Sequence, residues 1–435
     1  MATIAENLQT IIDSKAAIKD AIEAKGVAVG DAPLTQYASK IGEIQQGGTG
    51  FTGTVDTAGL TELGWDSQDI QWLQDHVWWN AEDDSYWAVS EENKAFGPNG
   101  ATPLTWTTRE EVKSNKEVRY LPKLSLPNNI TTLASAFNGY IFLYAIPTHG
   151  WNLSTVTRFD QAFRNTYNLR SLGDTSYFVT SATTRLDLMF GDSYSLSAID
   201  VSHWDTCNVT TFGSCFNGTA IEEIDISGFS FAKATSVASM FLNCSSLRSI
   251  KFPTSINAPV LTTVNAWLQN STSLEDVTIN LTAPLLTNAS NVVAGCYSLN
   301  NFKLNVSAAS ITTFTLVCNA CRTLLSIDFT GIDTTSCNQA SMGSSITQSA
   351  FSGTCFVQTI KLGANFFNGT FTTLYATNSY SWTRDSIYES LYTNQTSRNS
   401  NSSAVTVKLA TNAYDGLSQQ DISDIASKNI TLTRG

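Results

Sequence analysis

Charge is scarce in this chain. Only 14% of its 435 residues are Asp, Glu, Lys or Arg, against roughly 25% in an average soluble domain. The charge present is lopsided, with 25 basic residues against 37 acidic and a net of −12. Nucleic acid and anionic membrane surfaces both need a basic patch, so neither is expected as the main partner. Histidine is nearly missing. His76, His149 and His203 lie far apart, and no HExxH, GxSxG, P-loop or GxGxxG pattern occurs. The common catalytic templates therefore find no support. No apolar run approaches the roughly 18 residues that span a bilayer, so membrane insertion is not expected. The opening Met1-Ala-Thr-Ile-Ala-Glu-Asn7 lacks a basic stretch followed by an apolar one, and Thr433-Arg-Gly435 carries no sorting tail. On that ground no secretory signal or anchor is expected. A protein without an export signal can still act outside a cell when lysis releases it.

Ser, Thr and Asn replace the charge, beside 42% apolar residues, enough for a substantial core. The eight cysteines are Cys207, Cys215, Cys244, Cys296, Cys318, Cys321, Cys337 and Cys355, all in the second half. Cys318-Asn-Ala-Cys321 is a lone CxxC, without the second pair that a zinc site wants. Cys244, Cys296 and Cys321 share one position of a repeat, so they are expected as small buried hydrophobes. No metal or cofactor is expected.

That repeat organises the chain. A string Leu-x-x-Ile/Val/Phe-x-apolar begins at Leu196, Ile221, Leu247, Leu274, Leu299, Leu324 and Val357, in steps of 25, 26, 27, 25, 25 and 33 residues. Degenerate copies begin at Leu143 and Leu169. A second anchor runs about six residues ahead, through Phe137, Phe163, Phe190, Phe216, Phe241, Leu268, Val293, Cys318 and Phe351. Each string reads as a short strand with alternate residues inward. The segment before it, such as Val237-Ala-Ser-Met-Phe241, reads as a short helical or 3₁₀ turn. One such unit cannot bury its apolar side alone, so the pattern implies stacking. About nine coils at ~4.8 Å each would span roughly 43 Å. The 33-residue step implies an insertion near Asn338–Ile346.

His203-Trp-Asp-Thr-Cys-Asn-Val-Thr-Thr-Phe212 and Ser239-Met-Phe-Leu-Asn-Cys-Ser-Ser-Leu247 resemble the BspA-like leucine-rich repeats of bacterial surface proteins. The resemblance covers about residues 125–370. It implies a mixed α/β fold, a leucine-rich-repeat-like solenoid. Several copies depart from it by losing the Trp or the Met-Phe pair. The C-terminal segment fits such a family's end. Arg384–Tyr392 reads as a helix, Ala404–Leu409 as a strand, Ser418-Gln-Gln-Asp421 as a capping box opening a helix, and Ile430–Thr433 as a last strand. An array needs a terminal unit with a polar outer face.

At the other end, Ile4, Leu8, Ile11, Lys15, Ile18 and Ile22 form a 4-3-4-3-4 seam. That spacing predicts a coiled-coil-like helix stopped by Gly26. Alone it would be marginal in water, so it wants partner helices. These come either from its own chain or from a homo-oligomer, with a trimer preferred. A second helix carries Leu34, Tyr37, Ile41 and Ile44 on one face, and Gly47-Gly-Thr-Gly50 links onward. The stretch Ile4–Ile44 resembles the N-terminal docking segment of gut-bacteriophage tail-fibre and other virion proteins. That resemblance implies attachment to other virion proteins through the N-terminus. Trp65, Trp72, Trp78, Trp79 and Trp87 then crowd into 23 residues. They read either as a stacking platform for sugars or as the core of a small unit with a helix over Gln68–Trp79.

The expected organisation is a helical docking and oligomerisation module (1–46), a Trp-rich linking module (47–120), the solenoid (121–370) and an α+β cap (371–435). The expected function is that of a structural phage virion protein of fibre or receptor-binding type, located on the virion and presenting its solenoid to a host cell-surface glycan or protein. The alternative is a bacterial surface-type leucine-rich-repeat interaction protein, and a third reading is a glycan depolymerase. Catalysis is not expected, because the paired carboxylates a glycosidase needs are represented only by sequence neighbours such as Glu82-Asp-Asp84 and Glu91-Glu92. Contacts are expected on the outward strand positions Asp200, Glu222, Glu223, Asp225, Arg248, Lys251, Glu275, Asp276, Lys303 and Lys361.

Overall fold

The structure, a computed structural model, describes residues 55–76, 89–307, 311–399 and 401–435. The seam from Ile4 to Ile22, and Trp78, Trp79 and Trp87, lie outside the described residues. The fold is mixed α/β, and every strand pairing among the described residues is parallel.

The repeat period becomes a ladder. Single parallel bridges join Thr132, Arg158, Arg185, Thr211, Ser236, Thr263, Asn288 and Thr313 in order. After each rung the backbone N–H groups take turns. Those of Phe159, Gln161, Phe163 and Asn165 donate to the carbonyls of Arg185, Asp187, Met189 and Gly191 in the next coil, at 2.8–3.0 Å. Those of Ala162 and Arg164 close local turns on Phe159 and Gln161. The expectation of a helical or 3₁₀ turn at Val237–Phe241 is corrected here. A helix spends every N–H within itself, whereas this segment sends every second one along the stack. Left-handed residues four apart redirect the peptides, as at Ser239 and Asn243 (φ 57° and 60°) or Ala266 and Asn270 (φ 55° and 61°).

Three side-chain columns run along the stack. Phe137, Phe163, Phe190, Phe216 and Phe241 are fully buried and stack ring on ring, with centroids 5.3–5.7 Å apart. Behind them lies a column of small donors. Ser193, Cys244, Ser271, Cys296 and Cys321 each donate to the carbonyl of the column-one residue one coil back, at 2.8–3.2 Å. Those carbonyls are buried and need a donor, so Ser and Cys alternate freely at this position. On the surface, the hydroxyls of Thr157, Thr184, Thr210, Thr235, Thr262, Thr287 and Thr312 each donate to the carbonyl of the preceding threonine, beginning at Thr131.

The opposite side carries the strands. β1 (Glu223–Asp225) pairs with β2 (Ser249–Lys251). A five-stranded sheet follows, in the order β3 (Ile256–Asn257), β4 (Asp276–Thr282), β5 (Asn301–Ser307), β6 (Ser326–Phe329) and β7 (Thr359–Leu362). Alternation does the packing: Val277, Ile279 and Leu281 point inward and meet Phe302, Leu304 and Val306 in register.

The long step between β6 and β7 is filled by helix α4 (Gln339–Met342) and a 3₁₀ turn at Ile346–Gln348. The insertion can be read from the ladder: Phe314 N–H reaches Ser341, 27 residues on, but Cys318 N–H reaches Ala350, 32 residues on. Within it, the Gln339 side chain does the work of a backbone rung. Its Oε1 accepts from Thr372 and Thr373 N–H at 3.0 and 2.8 Å, and its Nε2 donates to the Thr373 and Gly343 carbonyls, both at 2.9 Å.

The chain closes with β8 (Thr373–Ala376), α5 (Arg384–Tyr388) running into a π turn at Glu389–Thr393, β9 (Val405–Leu409), α6 (Thr411–Asp415), α7 (Gln419–Ala426) and β10 (Ile430–Arg434). The capping box at Ser418 and Asp421 is formed in both directions. One apolar cluster runs from Leu104 to Leu432, so the closing elements share the core of the coils.

At the other end, helices α1 (Thr57–Glu62) and α2 (Ser67–His76) pack in a second cluster with Val89, Tyr120, Tyr144 and Ala145, and α3 (Glu91–Ala95) is tied to it by Asn93, whose amide donates to the Tyr120 carbonyl at 2.5 Å. Trp65 belongs to that core, with its indole N–H on the Leu121 carbonyl at 3.0 Å. Lys123 joins the two regions. Its ammonium lies 3.0 Å from Asp66 and 2.6 Å from the fully buried Asp69 carboxylate. Asp69 also accepts the Thr148 and His149 N–H groups at 3.1 and 3.0 Å. A buried carboxylate is tolerable here because three donors, one of them charged, meet it.

Candidate functional site

The strand face gathers most of the residues expected to make contacts, but it pairs them with one another. Parallel register sets the same position of successive coils side by side. Asp225 lies opposite Lys251 at 2.7 Å, and Arg248 lies 3.6 Å from Glu222. Asp276 accepts from Asn301 at 2.7 Å. Lys303 meets Asp328 at 3.4 Å, and Asp328 is in register with Lys361. Glu223 and Glu275 are exposed. Asp200 departs from the group: it is half-buried and its carboxylate caps the Ser202 N–H in a turn. Hydrogen bonds from Lys251 and Ser227 hold the Asp225 carboxyl down to about 2. Burial pushes Asp328 up, but Thr330 and Lys303 outweigh it and hold the carboxyl below its usual range. The face is thus a ladder of alternating signs. Exposed pairs of this kind each contribute ~0–1 kcal/mol, so they balance charge locally while the face stays net acidic. Asp328 was within reach of sequence reasoning, since it occupies the same repeat position as Asp225.

What the sequence analysis missed is a column of exposed tyrosines. Tyr167, Tyr194, Tyr297 and Tyr380 are each 41–56% exposed. Tyr194 and Tyr297 directly follow Ser193 and Cys296 of the small-donor column, and Tyr167 and Tyr380 follow the buried hydroxyls Thr166 and Ser379, which was the available signal. Tyr167 and Tyr194 stack at 5.3 Å, and the Arg322 guanidinium sits 5.3 Å over Tyr297. Beside Tyr194 a recess of about 390 Å³ is lined by Arg170, Ser195, Ser197, Ala220, Glu222 and Ser246. These come from matching positions on four successive turns. The recess offers hydroxyl donors and acceptors with one cation and one anion, which suits a polar partner of little net charge.

The cysteines fit their columns. All eight are free thiols, six of them buried. Burial pushes Cys244 up to about 11, and Cys321 and Cys337 up to about 12. Among the described residues no group of three or more His, Cys, Asp or Glu is placed to hold a metal ion. No described helix is long and apolar enough to cross a membrane.

Comparison with known proteins adds the following. Residues 131–253 match a family model described as Mycoplasma protein of unknown function, DUF285. Among solved structures, the chain is similar to a leucine-rich cell surface protein from Faecalibacterium prausnitzii, at 16% identity over 58% of this chain and 81% of that one, with a TM-score of 0.25. It is also similar to a leucine-rich-repeat protein from Bacteroides ovatus, at 13% identity over 73% of this chain and 91% of that one, with a TM-score of 0.32. Among curated proteins no relative is found.

Proposed function

We propose that this chain is a surface-displayed leucine-rich-repeat interaction protein, working by binding rather than catalysis. One observation carries the reading. The ladder repeats the same outward positions coil after coil, so charged pairs line the strand face of successive coils, and exposed tyrosines recur at one repeat position in four of them. Such a surface is extended and polar, with most of its charges paired, which suits contact with a large polar partner such as a cell-surface glycan or protein. The BspA-like resemblance of His203–Phe212 and Ser239–Leu247 is to bacterial surface proteins and points the same way. Antibody against the chain, applied to intact cells that make it, is expected to label their surface. Signal seen only after the cells are broken open would refute display.

A second reading is the phage fibre, favoured by the resemblance of Ile4–Ile44 to a virion docking segment. In that reading the N-terminus holds the chain, as a homo-oligomer, to other virion proteins, and lysis delivers it outside the cell. Gold-labelled antibody on purified phage particles, viewed by electron microscopy, separates the two. Label on particles supports the fibre, and bare particles beside labelled cells support the bacterial surface protein.

A further inference from the structure

The break in the repeat builds something the regular coils do not. Where the inserted turn at Ile346–Gln348 meets the closing elements, a cavity of about 490 Å³ opens. That is within the ~300–1,000 Å³ range of small-molecule sites. Ile346 from the insertion, Thr377, Asn378 and Tyr380 from the turn after β8, and Asn412 and Asp415 from α6 line it. Two of these, Tyr380 and Ile346, leave large apolar surface in the open, at 50% and 42% exposed.

The polar groups point to a ligand class. Asn378 and Asn412 each carry both donors and an acceptor. Among the lining side chains the one carboxylate, Asp415, is paired with Arg434 at 2.6 Å, and Thr411 and Gly435 complete the lining. Asn412 donates to the Tyr380 carbonyl, which ties α6 to the turn that presents the ring. An aromatic face, a branched aliphatic group and amides of mixed donor and acceptor character together match a pyranose. Its C–H face lies on apolar surface, while its vicinal hydroxyls both give and accept.

We infer that this cavity is a binding site for an uncharged hexopyranose unit of a surface glycan. The inference rests on the proposed binding function and narrows it to a ligand class and a place.

The test uses the full chain and saturation-transfer NMR. The probes are the methyl glycosides of glucose, galactose and mannose, with N-acetylglucosamine, and N-acetylneuraminate serves as the anionic control. At least one neutral sugar is expected to receive transfer, with affinity in the millimolar range, and the anion none. Tyr380→Ala and, separately, Asn378→Ala are expected to weaken binding at least tenfold. Leu285→Ala, at an exposed position outside the lining, is expected to leave it unchanged. Silence from every neutral sugar overturns the inference, as does transfer that survives both cavity variants. A parallel assay of labelled chain on bacterial cells keeps the two ideas apart. Cell binding without sugar binding removes this site and leaves the interaction function standing. Sugar binding without cell binding keeps the site and removes that function.

Discussion

At the scale of single residues, backbone sign matters more than side-chain chemistry. Each turn run needs two left-handed residues, and the chain fills these positions with Asn, Gly, Ser and, at Leu188, Ala266, Leu316 and Ala320, residues that dislike them. The left-handed conformation costs an L-residue about 1–2 kcal/mol. Gly353 occupies such a position at φ 73°, and a Cβ there would lie 2.9 Å from the Ala320 backbone nitrogen. Gly353→Ala is therefore expected to destabilise the chain by at least ~1–2 kcal/mol. Ala320→Gly, at φ 60°, is expected to stabilise it by up to ~1 kcal/mol after the entropy cost of glycine. Urea unfolding midpoints check both signs. The thiols offer a second test. Cys207 is exposed and Cys355 half-buried, while the other six are buried. Ellman's reagent at pH 8 is expected to titrate two thiols in the native chain and all eight in denaturant. Rapid reaction of Cys318 and Cys321 without unfolding would contradict the burial of both thiols.

At the scale of elements, the insertion shows how a broken period is repaired. Two coils can stack only if their backbone groups meet, and α4 displaces the chain from the rung it should supply. The Gln339 amide replaces that rung with four hydrogen bonds. Gln339→Ala is expected to cost about 1 kcal/mol, because it removes the partners of the Thr372 and Thr373 backbone groups at the start of β8. Thermal melts with β8-region hydrogen exchange would read this. Loss of protection confined to Thr372–Ala376 is the expected result, and unchanged exchange there would deny Gln339 its role. The position of the insertion was legible as a 33-residue step. The repair was not, because nothing local distinguishes this glutamine from a solvated one.

At the scale of the whole molecule, the Lys123 node ties the N-terminal helices to the first coils. Burial pushes the Asp66 carboxyl up, but the Asp69 N–H, the His149 ring and the Lys123 ammonium outweigh it and hold it well below the usual carboxylate range. A depressed carboxyl adds stability that is complete above the unfolded value of ~3.9 and is lost as pH falls through the folded one. The melting temperature is therefore expected to be flat near neutrality and to fall below about pH 4, and Asp66→Asn is expected to lower the plateau and flatten that acid limb. The amino-acid order alone was enough for the period, the phenylalanine column, the shared repeat position of Cys244, Cys296 and Cys321, and the capping box at Ser418. All of these are set by neighbours in sequence or by strict recurrence. Tertiary structure decided the rest. The turn runs look helical in isolation and become a ladder only when the next coil offers carbonyls to every second N–H. The charged residues of the strand face look free along the chain and are paired only once parallel register brings residues about 25 apart within 4 Å. The cavity beside Tyr380 joins segments around 346, 378 and 412, whose approach no local pattern encodes.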